Sequence, residues 1–214
     1  MATPRLPRLP STVTWRLPRW LVGEVAKVGS LGSSLEARMA FAVRLATRNV
    51  ERGTGGPFAA LVVDEASGRL LAAGVNLVSA SHASTAHAEM VALSLAEQRL
   101  GNDDLSEGGR VRRQLVTTAE PCAMCLGAIP WSGVSSLVVA ARDGDVRAIG
   151  FDEGDKPSAW AKRLRARGIT VSTDVLRAAA CGVLERYRST GGPTYGPRAS
   201  TAPSRRGGPP SPRR

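Results

Sequence analysis

Residues 114–129 read Gln-Leu-Val-Thr-Thr-Ala-Glu-Pro-Cys-Ala-Met-Cys-Leu-Gly-Ala-Ile, and this stretch decides the fold. Its first five residues form a buried-type strand. Pro121 suits a helix start, where its missing amide hydrogen costs nothing. The helix is expected to run on to about residue 131. A strand feeding a helix in this way places Cys122 and Cys125 on the first helical turn, with both sulfurs on one side. Free amides at that end stabilise thiolates. By itself a CxxC is compatible with a redox pair, half of a structural zinc site, a catalytic metal site, or no function at all.

Working outward, the spacing of Leu35, Met39, Ala42, Val43 and Ala46 predicts a helix over residues 35–50, capped by Ser34. Gly53, Gly55, Gly56 and Pro57 stop it. Residues 58–64 and 70–76 read as strands of a hairpin turning at Gly68. A polar loop over 78–86 leads into a helix from about residue 85 to residue 100. After a charged loop and the central strand, residues 136–141 are apolar nearly throughout, as expected for a strand covered on both faces. A long loop follows, then a helix over 158–167, a short strand over 169–172 and a last helix over 174–187. This order predicts an α/β fold with a mixed sheet and helices on both faces.

Composition bounds the rest. The chain has 214 residues, 43% of them hydrophobic, which suits one cored domain with tails. The net charge of +11 sits at the ends. Residues 1–35 hold five basic side chains and one acid, residues 196–214 hold five arginines and no acid, and the span between has 19 basic against 17 acidic groups. The expected division is therefore a flexible Pro/Arg-rich leader over 1–34, a body over 35–195 and a disordered Arg/Pro tail over 196–214. No run of 18 apolar residues is present, so a membrane span is not expected. Prolines interrupt the apolar part of the first residues, so no secretion signal is expected. Three cysteines make no disulfide framework and point to a reducing, cytoplasmic setting.

His87-Ala-Glu89 supplies what the CxxC lacks. One imidazole and two thiolates make a three-ligand set for Zn²⁺, with a fourth position left for water. Glu89 lies two residues after His87, close to the ion without binding it, and can accept the proton of that water and return it to a leaving group. A carboxylate favouring a helix N-terminus is the plainer alternative. Cys181, in a run of small residues, reads as a core cysteine, and His82 as a loop residue, a substrate contact or neither. Asn76 ends a strand with a two-sided amide suited to a base edge. Phe58 is a stacking or core residue, and Trp131 and Trp160 are pocket walls or packing.

An HxE followed by a PCxxC makes the body resemble the cytidine-deaminase-like superfamily. Gly56-Pro-Phe-Ala-Ala60, Ala73-Gly-Val-Asn76, Ile129-Pro-Trp-Ser-Gly-Val134 and Gly150-Phe-Asp-Glu-Gly154 narrow the likeness to bacterial guanine deaminases of the kind that also accept ammeline. The resemblance implies a three-layer αβα sandwich around a central five-stranded mixed sheet, one catalytic zinc per subunit, and a homodimer with possible exchange of C-terminal segments. It implies Glu153 as a second proton shuttle, with Asp152 beside it. It also implies Asn76 against the substrate and Tyr195 as a lid; Ala88, between ligand and base, reads as a backbone contact to the ring, and Phe58 as a stacking or a core residue. The implied reaction is hydrolytic deamination of guanine to xanthine and ammonia. The same chemistry on ammeline, guanosine, cytosine or tRNA adenosine stays open. So does a non-catalytic nucleic-acid-binding protein, which the basic ends suggest and the few aromatic residues, with no aromatic-basic interleaving, disfavour.

Overall fold

The structure, a computed structural model, describes residues 10–194. The elements are α1 (Arg19–Ala26), α2 (Leu35–Glu51), β1 (Ala59–Asp64), β2 (Leu70–Val75), α3 (Val78–Ser81), α4 (Ala88–Leu100), β3 (Arg113–Ala119), α5 (Ala123–Ala128), β4 (Ser136–Ala141), α6 (Asp143–Ala148), α7 (Trp160–Ala166), β5 (Thr170–Ser172) and α8 (Arg177–Ser189).

The five strands form one mixed sheet in the order β2-β1-β3-β4-β5. β1 runs antiparallel to both β2 and β3, while β3, β4 and β5 are parallel. Strand alternation sorts the two faces. Leu61, Val63, Val116, Val138 and Ala140 pack with Met39, Phe41, Leu45 of α2 and Val183, Leu184 of α8. Ala60, Val62, Leu115, Leu137 and Val139 pack with Ala92, Leu93, Ala96 of α4 and Trp160, Leu164 of α7. The result is a three-layer αβα sandwich with a central five-stranded sheet.

Ser34 caps α2, its Oγ accepting from the Ala37 amide at 3.2 Å. Gly74 sets how closely α4 lies on β2. A Cβ there would meet the Ala88 carbonyl oxygen at 2.3 Å and the Ala92 nitrogen at 2.6 Å. The first turn of α4 therefore rests directly on the strand.

The leader expected over 1–34 needs correcting in its second half. Residues 19–26 form α1, which buries Leu21 in the core. Ser30 bridges to Arg69 at the sheet edge. Residues 1–9 and the tail over 196–214 lie outside the described residues. A second correction concerns Cys181, which is half-buried against the core rather than within it. A third is α6, formed inside what reads as a loop and held by Asp145, whose Oδ2 accepts from the Arg142 amide at 2.8 Å.

Candidate active site

Three segment ends meet at the edge of the sheet where β3 finishes, which is where crevices open in sheets of this class. His87 is the N-cap residue of α4 and Cys122 that of α5, both with extended backbone. Cys125 follows on the first turn of α5 and is fully buried. The Cys122 Sγ lies 3.5 Å and the Cys125 Sγ 3.7 Å from His87 Nδ1.

Those spacings test the metal directly. A tetrahedral zinc with ordinary Zn–N and Zn–S bonds holds its nitrogen and sulfur about 3.6 Å apart. Among the described residues, this trio is the set of His, Cys and acidic groups found to converge as metal donors. His82 caps α3 in a left-handed conformation and is not part of it.

The electrostatics also ask for a cation. The cysteine pair holds a thiolate at Cys122, whose pKa is pulled down to about 4 by the Cys125 S–H and by the His87 ring. The hydrogen bond to Cys122, burial and the nearby Glu89 charge push the Cys125 thiol up. Burial alone would lower His87, but the bond to Cys122 and the charge of Glu89 outweigh it and raise the imidazole pKa. Glu89, seated in the first turn of α4, is pushed up by burial first and by the Cys122 thiolate second. Glu153 is pushed up to about 8, again by burial and then by Cys122 and Glu89. A divalent cation among these groups relieves the repulsion between the Cys122 thiolate and the Glu89 and Glu153 carboxylates, which adds to burial in raising the two carboxyls. Donor type, spacing and charge all fit Zn²⁺.

The cavity over the trio is lined by Phe58, Asn76, His87, Glu89, Cys122, Asp152 and Glu153, with Ala119, Glu120 and Phe151. Asn76 and Glu153 are buried at its wall. The Glu153 carbonyl accepts from the Ala123 amide at 2.9 Å, so the loop carrying this carboxylate is hooked onto the helix carrying the sulfurs. Asp152 accepts from the Gly154 amide at 2.8 Å and shapes that loop. Phe58 meets Phe151 edge-on with centroids 5.1 Å apart, and Phe151 stacks on Tyr187 of α8.

Two expected contacts, those of Trp131 and Ala88, are not found among the described residues. Trp131 is 87% exposed and lines a separate surface groove with Leu126, Pro130 and Trp160. The helix of α5 is only six residues long, and the turn after it sends Trp131 outward. Ala88 is fully buried with its carbonyl against Gly74, so it does not line the cavity. Tyr195 lies outside the described residues.

The sequence reading missed Phe151, Glu120 and Lys156. Lys156 reaches the Pro121 carbonyl at 3.1 Å, Glu120 at 3.4 Å and Asp143 at 2.9 Å, tying the loop after Glu153 to the residues before Cys122. Phe151 sits in the quoted Gly150–Gly154 run, but no local signal marks Glu120 or Lys156.

Comparison with known proteins agrees with this geometry. Residues 33–141 match the family described as the cytidine and deoxycytidylate deaminase zinc-binding region. The chain is 40% identical over 123 residues to a guanine deaminase of Bacillus subtilis, covering 55% of this chain and 74% of that one. It is 36% identical over 115 residues to a tRNA-specific adenosine deaminase of Haemophilus influenzae, covering 54% and 62% respectively. Among solved structures, a guanine deaminase from Nitrosomonas europaea superposes with a TM-score of 0.80 at 47% identity, covering 86% of this chain and all of that one.

Proposed function

The chain belongs to the cytidine and deoxycytidylate deaminase zinc-binding family, and on that premise we propose that it deaminates guanine hydrolytically to xanthine and ammonia. The observation that carries the reading is a second buried carboxyl, Glu153, in the same cavity as Glu89 and the ligand residues His87 and Cys122. The likeness to guanine deaminases supports it, as do solved relatives at 48% identity in complex with 8-azaguanine and with 2,6-diaminopurine.

His87, Cys122 and Cys125 hold the zinc. The ion supplies a Lewis acid that makes water a nucleophile near neutral pH. Asn76 bonds the edge of the base with its amide, and Phe58 lies against one ring face. Glu89 takes a proton from the attacking water and passes it to the ring nitrogen beside C2, while the oxygen bonds to C2. Glu153 enters the reaction protonated and gives its proton to the exocyclic amine. The C2–N bond breaks, the electron pair leaves with ammonia, and the proton of the C2 hydroxyl restores the carboxyl.

Zinc-loaded protein is expected to release ammonia and xanthine from guanine, followed by coupled absorbance. No release from guanine, with turnover of cytosine, guanosine, ammeline or tRNA adenosine in the same panel, overturns the assignment of substrate. We extend the proposal to a homodimer, which light scattering checks, and to a cytoplasmic setting that keeps the ligand thiols reduced. Among the described residues no helix is long and apolar enough to cross a membrane.

A further inference from the structure

We propose that Asn49 is a positioning residue for base recognition, and that helix α1 acts on the site through the hydrogen-bond chain Trp20–Thr54–Asn49–Asn76. The inference rests on the reading of Asn76 as the base-binding amide.

Asn49 is completely buried near the end of α2, where an apolar side chain would be ordinary. Its Nδ2 donates to the Asn76 carbonyl at 3.0 Å and to the Gly56 carbonyl at 2.8 Å. Its Oδ1 accepts from the Thr54 hydroxyl at 2.6 Å. Thr54 Oγ1 in turn accepts from Trp20 Nε1 at 3.2 Å. Both amide hydrogens of Asn49 are thus spent on carbonyls, and its oxygen is fixed by a donor that α1 orients.

Asn76 lies just past the end of β2, where the sheet ladder stops holding the chain. Its backbone is clamped from two sides. Its amide donates to the Phe58 carbonyl at 3.0 Å, and its carbonyl receives the Asn49 amide. The Phe58 side chain lines the same cavity. The fit around the clamp excludes any side chain at Gly55, whose Cβ would fall 1.9 Å from the Asn76 carbonyl oxygen and 2.8 Å from Asn49 Nδ2. Glu24 of α1 pairs with Arg48 at 2.5 Å, one residue before Asn49, so α1 is held at the same turn of α2. An asparagine serving packing alone has no need of this particular carbonyl. The residue it fixes is the one that presents an amide to the substrate.

The test uses the full zinc-loaded chain, with KM and kcat for guanine, zinc per chain and Tm measured together. Asn49→Asp keeps the shape but turns an acceptor toward two carbonyls. It is expected to raise KM about tenfold with kcat within about threefold and zinc retained. Thr54→Val and Trp20→Phe remove one link each and are expected to raise KM about two- to threefold, while Thr54→Ser restores the parent value. KM unchanged in the folded variants overturns the inference. So does a fall in Tm or zinc content that accounts for the whole loss of activity. If Asn49→Asp fails to fold, Thr54→Val and Trp20→Phe decide alone. A parent chain inactive on guanine removes both the functional reading and this inference, whereas an active parent with kinetically unchanged variants removes only the inference.

Discussion

The two ends of the sheet both bury polar groups, and they handle them in opposite ways. At the end where β1 finishes and β3 and β4 begin, opposite charges and complementary hydrogen bonds meet. Arg38, 2% exposed, donates to the Gly32 and Glu65 carbonyls and to Gln114 Oε1. Gln114 donates to Ser136, and Ser136 to Glu65. Arg113 pairs with Asp64 at 2.6 Å. The Asp64 carboxyl is held below its usual range, first by the Ser67 hydroxyl and amide and then by Arg113. At the other end, burial first and then the Cys122 thiolate raise the Glu89 and Glu153 carboxyls, and the Glu89 charge adds to the rise of the Cys125 thiol. In the first cluster the charges cancel within the protein, with the buried Arg113 Nε left without a hydrogen-bond partner. The second becomes favourable only with a cation and a reacting ring. A buried polar cluster thus marks a site when its charges share a sign, and a structural joint when they cancel.

Substitutions can break that contrast. The largest effect is expected for Glu89→Gln. It removes the proton carrier and lowers kcat by about 10³- to 10⁴-fold. Zinc content stays at one per chain, and Tm stays close to the parent's because the amide keeps the shape of the carboxyl. Turnover within tenfold of the parent, by steady-state kinetics, contradicts the shuttle role.

Glu153→Gln comes next, with a loss of about 10²-fold in kcat and little change in zinc. The parent's kcat is expected to fall as the pH rises through the Glu153 pKa, because the raised value supplies a proton only below it. The variant loses that alkaline limb, and a pH–rate profile that keeps it assigns the limb to another group.

Arg38→Met probes the opposite end. Several buried acceptors lose their partner, so stability falls by about 2–4 kcal/mol in urea melts. KM and kcat at 25 °C stay at parent values, and a selective kinetic loss would join the two ends that are here held separate. The smallest effect belongs to Arg177→Ala. Arg177 holds the Asp145 carboxyl well below the usual range. A carboxyl lowered on folding stabilises above its ordinary value of 3.8 and loses that contribution as the pH drops toward the folded-state value. The parent and variant melts therefore differ slightly at neutral pH and converge in acid.

Much of this was legible in the sequence, for physical reasons that can be named. Residues 136–141 were read to the residue as β4, because an apolar run of strand length between polar turns has one reading. The donor set was legible because metal ligands must be of a few chemical types at short spacing, and His87, Cys122 and Cys125 do converge. What escaped lacked a period or a motif. α6 spans six residues, includes a glycine and buries only Val146. α1 buries only Leu21, so its amphipathic signal is thin. Trp131 was misplaced because adjacency to the CxxC says nothing about which way the chain turns after a six-residue helix. Lys156 and Asn49 act through carbonyls of distant residues, and sequence spacing does not encode such partners.

Gly74 gives the metal site a gauge. Beside Leu71, β2 offers α4 the small Ala72 and Gly74 where a strand would ordinarily favour branched side chains. A missing methyl group decides how deeply the start of α4 sinks, and His87 heads that helix. Enlarging this strip of β2 would displace an imidazole that must stay within tenths of an ångström of its bonding distance. Coordination geometry, more than any demand of the strand itself, restricts which amino acids can stand there.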